Sequence, residues 1–323
     1  MSDPVTSQIE AERTANGGTM TASEQREIMA SQALLDARAM PSIILEGEMG
    51  SGKTHALQTL LAPGTGIEKV VMINHEGGFE DVLGHIPPER LAWKFIPVSE
   101  GSFDALIQMV RTVNSQSADT IQKMGGINKH LYPQFDQLLG TCNKFVDDRT
   151  GQSLGPVFKF PQNWCLWFES ISALTEIAKN CAIGDKPFME LRDYQMVQTM
   201  VRKFLNHLVF STKCLYVATA HLERETDEST GMSQLMISTV GRKLAPVIPR
   251  FFSDTIVCER IDAMGGQPTF KWATMKPGVK TKTRNLPWSD NLKPDFGPLL
   301  DNFRKRQAQA KAGQAPTAPV APK

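Results

Sequence analysis

Residues 47–54 read Gly-Glu-Met-Gly-Ser-Gly-Lys-Thr, directly after an apolar run of strand length at 42–46 and at the start of a helical pattern. The spacing G-x-x-x-x-G-K-[ST] in a strand, loop and helix setting constrains the fold more than any other feature of this chain. Its glycines let the backbone curl so that consecutive N–H groups point inward at a β-phosphate. The helix N-terminus adds about half a positive charge there. In such a loop Lys53 reaches the β- and γ-phosphates, and the Thr54 hydroxyl sits on the Mg²⁺ that bridges them. The expected ligands are ATP and Mg²⁺, held by Gly47, Glu48, Met49, Gly50, Ser51, Gly52, Lys53, Thr54 and His55.

The rest of the chain repeats the rhythm of strand-length apolar runs and helical patterns, at 69–74, near Phe79, at 94–98 and at 102–113. Alternation of this kind predicts an α/β fold with a mostly parallel central sheet flanked by helices. Between 114 and 163 it breaks into a polar, turn-rich stretch, read as an insertion. One helix is expected inside it, because Phe135, Leu138, Leu139, Cys142 and Phe145 share a face. The rhythm resumes at Trp164. A long helix near Asp193 carries a stripe from Met196/Val197 to Leu208/Val209. A strand at 214–219 ends in Ala220-His221 and leads to a charged loop, 222–236. Strands follow at 254–261 and 270–275, the last as an antiparallel edge.

The expected organisation is a polar, disordered arm at 1–20 and a helix at 21–40, opened by the capping box Thr21-Ala-Ser-Glu24 and stopped by Pro41. An ATPase domain at 41–300 with its insertion at 114–163 follows, and then a tail at 301–323, basic and then Ala/Pro-rich and disordered. Lysine plus arginine total 35 against 34 acidic residues, so no global charge draws the chain to nucleic acid. Five unpaired-looking cysteines fit neither a disulfide framework nor a zinc site. No run approaches the ~18 apolar residues that span a membrane. A reducing cytoplasm is the expected setting.

Magnesium needs a second acidic group at the end of a buried strand. The run Trp164-Cys165-Leu166-Trp167-Phe168-Glu169-Ser170 offers Glu169; the alternative is a surface glutamate ending an ordinary strand. Glu76, after Val70-Val71-Met72-Ile73-Asn74, is the candidate general base that polarises water toward the γ-phosphate, or else a helix-capping carboxylate. His221 is either a γ-phosphate sensor or a structural histidine.

In their order these landmarks resemble the RecA-type ATPase core: a P-loop, a strand ending in the catalytic glutamate, a hydrophobic strand ending in an acidic residue and serine, a long helix, and a strand ending in a polar sensor. The likeness is greatest to phage-encoded RecA-like ATP-binding proteins of the single-strand annealing recombination group, and it runs from about 42 to 300. It includes Ser238-Thr239-Val240-Gly241-Arg242-Lys243-Leu244-Ala245 and Arg284-Asn285-Leu286-Pro287. The resemblance implies an ATPase stimulated by single-stranded DNA. The implied partners are that DNA, a single-strand DNA-binding protein and further copies of the chain, with ATP at the subunit interface. A basic residue among Lys276, Lys280, Lys282 and Arg284 would then reach a neighbour's γ-phosphate, unless these are only a solvated run.

Two departures bear on this. Glu169 stands where aspartate is expected. The segment after His221 reads Glu223-Arg224-Glu225-Thr226-Asp227-Glu228, poorly suited to phosphates, with Lys186, Arg192, Arg242 and Lys243 as compensation. A phosphotransferase is the competing enzyme class, but it needs arginines over the phosphates, and the insertion offers Arg149 for that task. A non-hydrolysing, ATP-gated scaffold is the third reading.

Overall fold

The computed structural model describes residues 40–311 apart from 79, 99–106, 108, 109, 112, 118, 119, 121–131, 185, 187, 227–232 and 263–265. The arm expected at 1–20, all of the helix expected at 21–40 except Met40, most of the helix expected at 102–113 and the tail beyond 311 lie outside the described residues.

The centre is a sheet in the order β10-β9-β1-β7-β6-β2-β3, built from β1 (Ser42–Gly47), β2 (Lys69–Asn74), β3 (Leu91–Phe95), β6 (Trp164–Glu169), β7 (Leu215–Thr226), β9 (Asp254–Ile261) and β10 (Thr269–Ala273). All neighbours pair parallel except β9 and β10, the antiparallel edge expected from the sequence. The inner strands read as almost unbroken apolar runs because both faces are covered. Alternate residues of β1 divide between two cores. Ile43 and Leu45 pack with Leu57 and Leu60 on the side of the loop helix. Ile44 packs on the other side with Leu174, Val201 and Leu205.

Among the described residues, the strands are followed by α1 (Glu80–Leu83), α2 (Gln134–Asn143), α3 (Ile171–Ile183) and α4 (Leu191–Ser211). The α4 stripe is narrower than its sequence pairs suggest, since Val197, Val201, Phe204, Leu205, Leu208 and Val209 are buried while Met196 is 46% exposed. Within the insertion, α2 buries Phe135 and Leu138, but Leu139 faces outward at 41% exposure, and Phe145 belongs to β4 (Phe145–Val146). That strand pairs with β5 (Ser153–Gly155) as a two-stranded sheet.

Two expectations need correction. The segment read as a charged loop after His221 is a hairpin: β7 continues to Thr226 and pairs antiparallel with β8 (Ser233–Ile237). The alternation that supports it was present, with Leu222 and Ile237 buried opposite each other and Glu223 outward. The terminal segment is also not disordered from 301, since α5 (Phe296–Lys311) runs through its first part. Phe296, Leu299 and Leu300 are fully buried and anchor that helix to the core around Trp167 and Trp272.

Candidate functional site

Parallel order sets the carboxyl ends of the strands along one edge, where ligands of open α/β sheets bind. Because β7 lies between β1 and β6, Gly47 is in register with His221, and Asn74 is in register with Glu169. Residues as distant in sequence as Gly47 and His221 thus converge by sheet order alone.

The loop itself is shaped by its glycines at two points. Gly52 has φ of +80°, and a Cβ there would stand 2.7 Å from Cδ1 of Phe270. A Cβ on Gly47 would stand 2.6 Å from the Cys258 carbonyl oxygen. The helix that follows, Thr54–Leu61, is a 3-10 helix in this structure and buries Ala56, Leu57, Leu60 and Leu61. Lys53 is 5% exposed, and its Nζ donates to the carbonyls of Gly47 and Glu48, both at 2.9 Å. Burial holds its pKa below the usual lysine value, against the opposing pull of Cys258 and of Glu169, Glu76 and Glu48. The Ser51 hydroxyl is buried with no hydrogen-bonding partner. Met49, at 89% exposure, and His55, whose ring lies by Phe270 and His85, stand at the outer side of the loop.

Glu169 is no surface residue. It is 6% exposed, accepts a hydrogen bond from the Thr54 hydroxyl at 3.0 Å on Oε1, and accepts one from the Trp167 indole at 2.7 Å on Oε2. Burial raises its pKa, and the two donors and Lys53 only partly offset that. The carboxylate thus reaches Thr54 from the strand end while the indole fixes its far oxygen. The peptide bond from Glu169 to Ser170 is cis.

Glu76 is held from three sides. Asn74 fixes its backbone, accepting from Glu76 N at 3.2 Å and donating to its carbonyl at 2.7 Å. The Ser170 hydroxyl donates to Oε1, and His221 Nε2 lies 2.7 Å from Oε2. Burial works to raise the Glu76 pKa, but the hydrogen bonds of His221 and Ser170, with the charges of His221 and Lys53, hold it below the ordinary value. It is therefore a carboxylate at neutral pH and partly open to solvent. Among the described residues its side-chain partners are Ser170 and His221. The His221 backbone N–H in turn donates to the Ser172 hydroxyl at 3.0 Å, so β7 is tied to the start of α3.

The structure thus brings Lys53, Thr54, Glu76, Glu169 and His221 together on one edge. Sequence reasoning gave no role to Trp167, Ser170 or Asn74, which orient the two carboxylates. Ser170, directly after the acidic strand end, was the available signal; the indole contact requires knowing which face of β6 Trp167 occupies.

Several cations expected at other sites are occupied. Lys276 is ion-paired with Glu259, and Lys282 Nζ donates to the Phe252 carbonyl at 2.7 Å. Lys186 is buried against Asp193 at 2.8 Å and Glu190 at 3.1 Å, while Arg192 pairs with Glu190 and Arg242 with Glu225. Arg149 donates to the carbonyls of Pro88 and Leu91 and lies over the Trp93 ring, far from the role of a phosphate lid.

No family model and no curated protein sequence matches this chain. Among solved structures, a prototypical ATPase from the type III secretion system of pathogenic bacteria shares 13% identity over 67% of this chain, with a TM-score of 0.34. The chain spans about half of that protein's length, 51%. The flagellar accessory protein FlaH from Methanocaldococcus jannaschii shares 14% identity over 82% of this chain and 85% of its own, with a TM-score of 0.31. What the site can do is set by the groups that line it.

Proposed function

We propose that this chain binds ATP with magnesium at residues 47–55 and hydrolyses it. One observation carries the reading: a buried carboxylate, Glu169, is hydrogen-bonded to the last residue of the phosphate loop, Thr54, at 3.0 Å. Side chains 115 positions apart meet there, as a hydroxyl and a carboxylate must if they share a hydrated magnesium ion. The loop also fits a polyphosphate, since it leaves the Ser51 hydroxyl buried without a protein partner and folds the Lys53 ammonium back onto its own carbonyls at Gly47 and Glu48. Thr54 and Glu169 would hold magnesium, which would supply positive charge against the negative charge on the β- and γ-phosphates. Lys53 adds to it. Glu76 orients water for attack on the γ-phosphorus and accepts its proton, with Ser170 and His221 holding the carboxylate in place.

The resemblance supplies the finer reading: turnover is coupled to single-stranded DNA, in phage-type recombination or annealing, through His221. A physical route supports it, because His221 joins the base Glu76 to the strand that becomes the β7 to β8 hairpin. A nucleotide-dependent movement of Glu76 would be felt along that hairpin. The same resemblance supplies assembly with further copies of the chain and with a single-strand DNA-binding protein. A phosphotransferase is disfavoured by the engagement of Arg149 with Pro88, Leu91 and Trp93.

Phosphate release by the purified chain, with magnesium and with or without single-stranded DNA at low salt, tests both levels. The expected result is magnesium-dependent release that rises with DNA. Release without DNA stimulation or DNA binding removes the recombination role and leaves the ATPase; ATP binding without any release favours the scaffold.

A further inference from the structure

Glu46, the residue before the phosphate loop, points away from it. It is 2% exposed, and its register partners Ala220 on β7 and Val257 on β9 belong to the core opposite the loop helix. Its Oε1 is fully buried with no hydrogen-bonding partner. The backbone around it cannot supply a donor, because β1 pairs on both sides at this level. A buried carboxyl in such surroundings is costly unless something answers it.

What lies against it is a cavity of about 250 Å³. Among its described lining residues Glu46 is the buried charged one, whereas Gln234 and Lys280 are exposed. Leu235 and Ile237 of β8, Ala245, Pro249 and Val279 supply apolar walls, and Lys280 stands exposed on the rim. That volume is below the roughly 300–1,000 Å³ of pockets that hold nucleotide-sized or drug-sized ligands. It suits one long side chain. An apolar stem would cover the walls, and a positive head would reach the acid at the bottom, where charge-assisted bonds are strongest.

We propose that this cavity binds one alkylguanidinium or alkylammonium group, such as the side chain of an arginine or lysine from another polypeptide or a free small amine, with its charge on the Glu46 carboxylate. The site lies across the sheet from the nucleotide loop and stands or falls separately from the ATPase reading.

The titration behaviour of the acid gives the test a sign. Burial pushes the Glu46 pKa up to about 8, and no charged neighbour contributes. On the packed elements, His221 is engaged with Glu76, Glu259 with Lys271 and Lys276, and Cys258 is kept neutral by burial at about 12. Among the described residues lining the cavity, Lys280 is the other charged group. Below the Glu46 pKa the carboxyl is protonated, so a cation binds only by displacing a proton.

Calorimetric titration of the full chain with n-butylguanidinium, which stays charged throughout, reads this directly. Its affinity should rise roughly tenfold per pH unit from about pH 6 to about pH 7 and level off above about pH 8, with about one proton released per cation bound at the lower end. In Glu46→Gln, an isosteric change to a group already neutral, binding should fall at least about tenfold and lose its pH dependence. The tripeptide Gly-Arg-Gly separates the sources: binding as tight as the free guanidinium indicates a polypeptide side chain, and exclusion of the peptide indicates a small amine. Wild-type binding that is flat with pH, undiminished binding to Glu46→Gln, or no binding at millimolar probe overturns the proposal. The wild-type pH profile decides the matter even if the variant fails to fold.

Discussion

Replacing Lys53 with alanine should abolish nucleotide binding and reduce phosphate release by about 10²-fold or more while leaving the protein folded. The size follows from removing a positive group aimed at charge that develops in the transition state, typically about 2.7–4 kcal/mol. Folding should survive because the bonds lost, from Nζ to the carbonyls of Gly47 and Glu48, lie within the loop and not in the sheet. Their loss costs about 0.5–1.5 kcal/mol each. The checks are phosphate release, nucleotide titration and thermal melting on the same preparation. Full turnover by Lys53→Ala would show that the loop is not the phosphate site.

The second large effect separates chemistry from binding. Glu76→Gln keeps the shape of the side chain and its contacts with Ser170 and His221 but cannot take a proton, so kcat should fall about 10²–10⁴-fold with ATP affinity little changed. The variant should hold ATP unhydrolysed, the opposite outcome from Lys53→Ala. The pH dependence has a definite sign in the wild type. Glu76, held below the ordinary value of 4.5, stays a carboxylate as the pH falls toward that value. Glu169, raised above 4.5 by burial, takes up its proton first. Acid should therefore weaken magnesium before it silences the base, and added magnesium should restore turnover on the upper part of the acid limb. A Glu76→Gln enzyme with normal kcat would mean that water is oriented by another group.

The parts of this site that could be read from the sequence are those written in short-range patterns. Eight adjacent residues specify the phosphate loop, and Glu169 ends, and Glu76 closely follows, a run of apolar residues too continuous to be anything but an inner strand. Sheet order is not written that way. Only the placement of β7 between β1 and β6 brings His221 within 2.7 Å of Glu76 and puts Ser170 beside it. The hairpin after His221 was obscured by its charges, although Leu222 and Ile237 mark its buried face. The composition of the last turns of α5 resembles a tail, and only the burial of Phe296, Leu299 and Leu300 explains a helix there. Pairing of cations is equally invisible to composition: Lys186 and Lys276 count as free charges in a sequence and are bound to carboxylates in the fold.

The most direct measurement is equilibrium titration of the chain with a fluorescent ATP analogue in magnesium, followed by competition with ATP, ADP and AMP. A loop whose amides and lysine grip the β-phosphate predicts displacement by ATP and ADP and little by AMP. Equal competition by AMP, or no binding of the analogue at all, would contradict the placement of the triphosphate at Gly47 to Thr54.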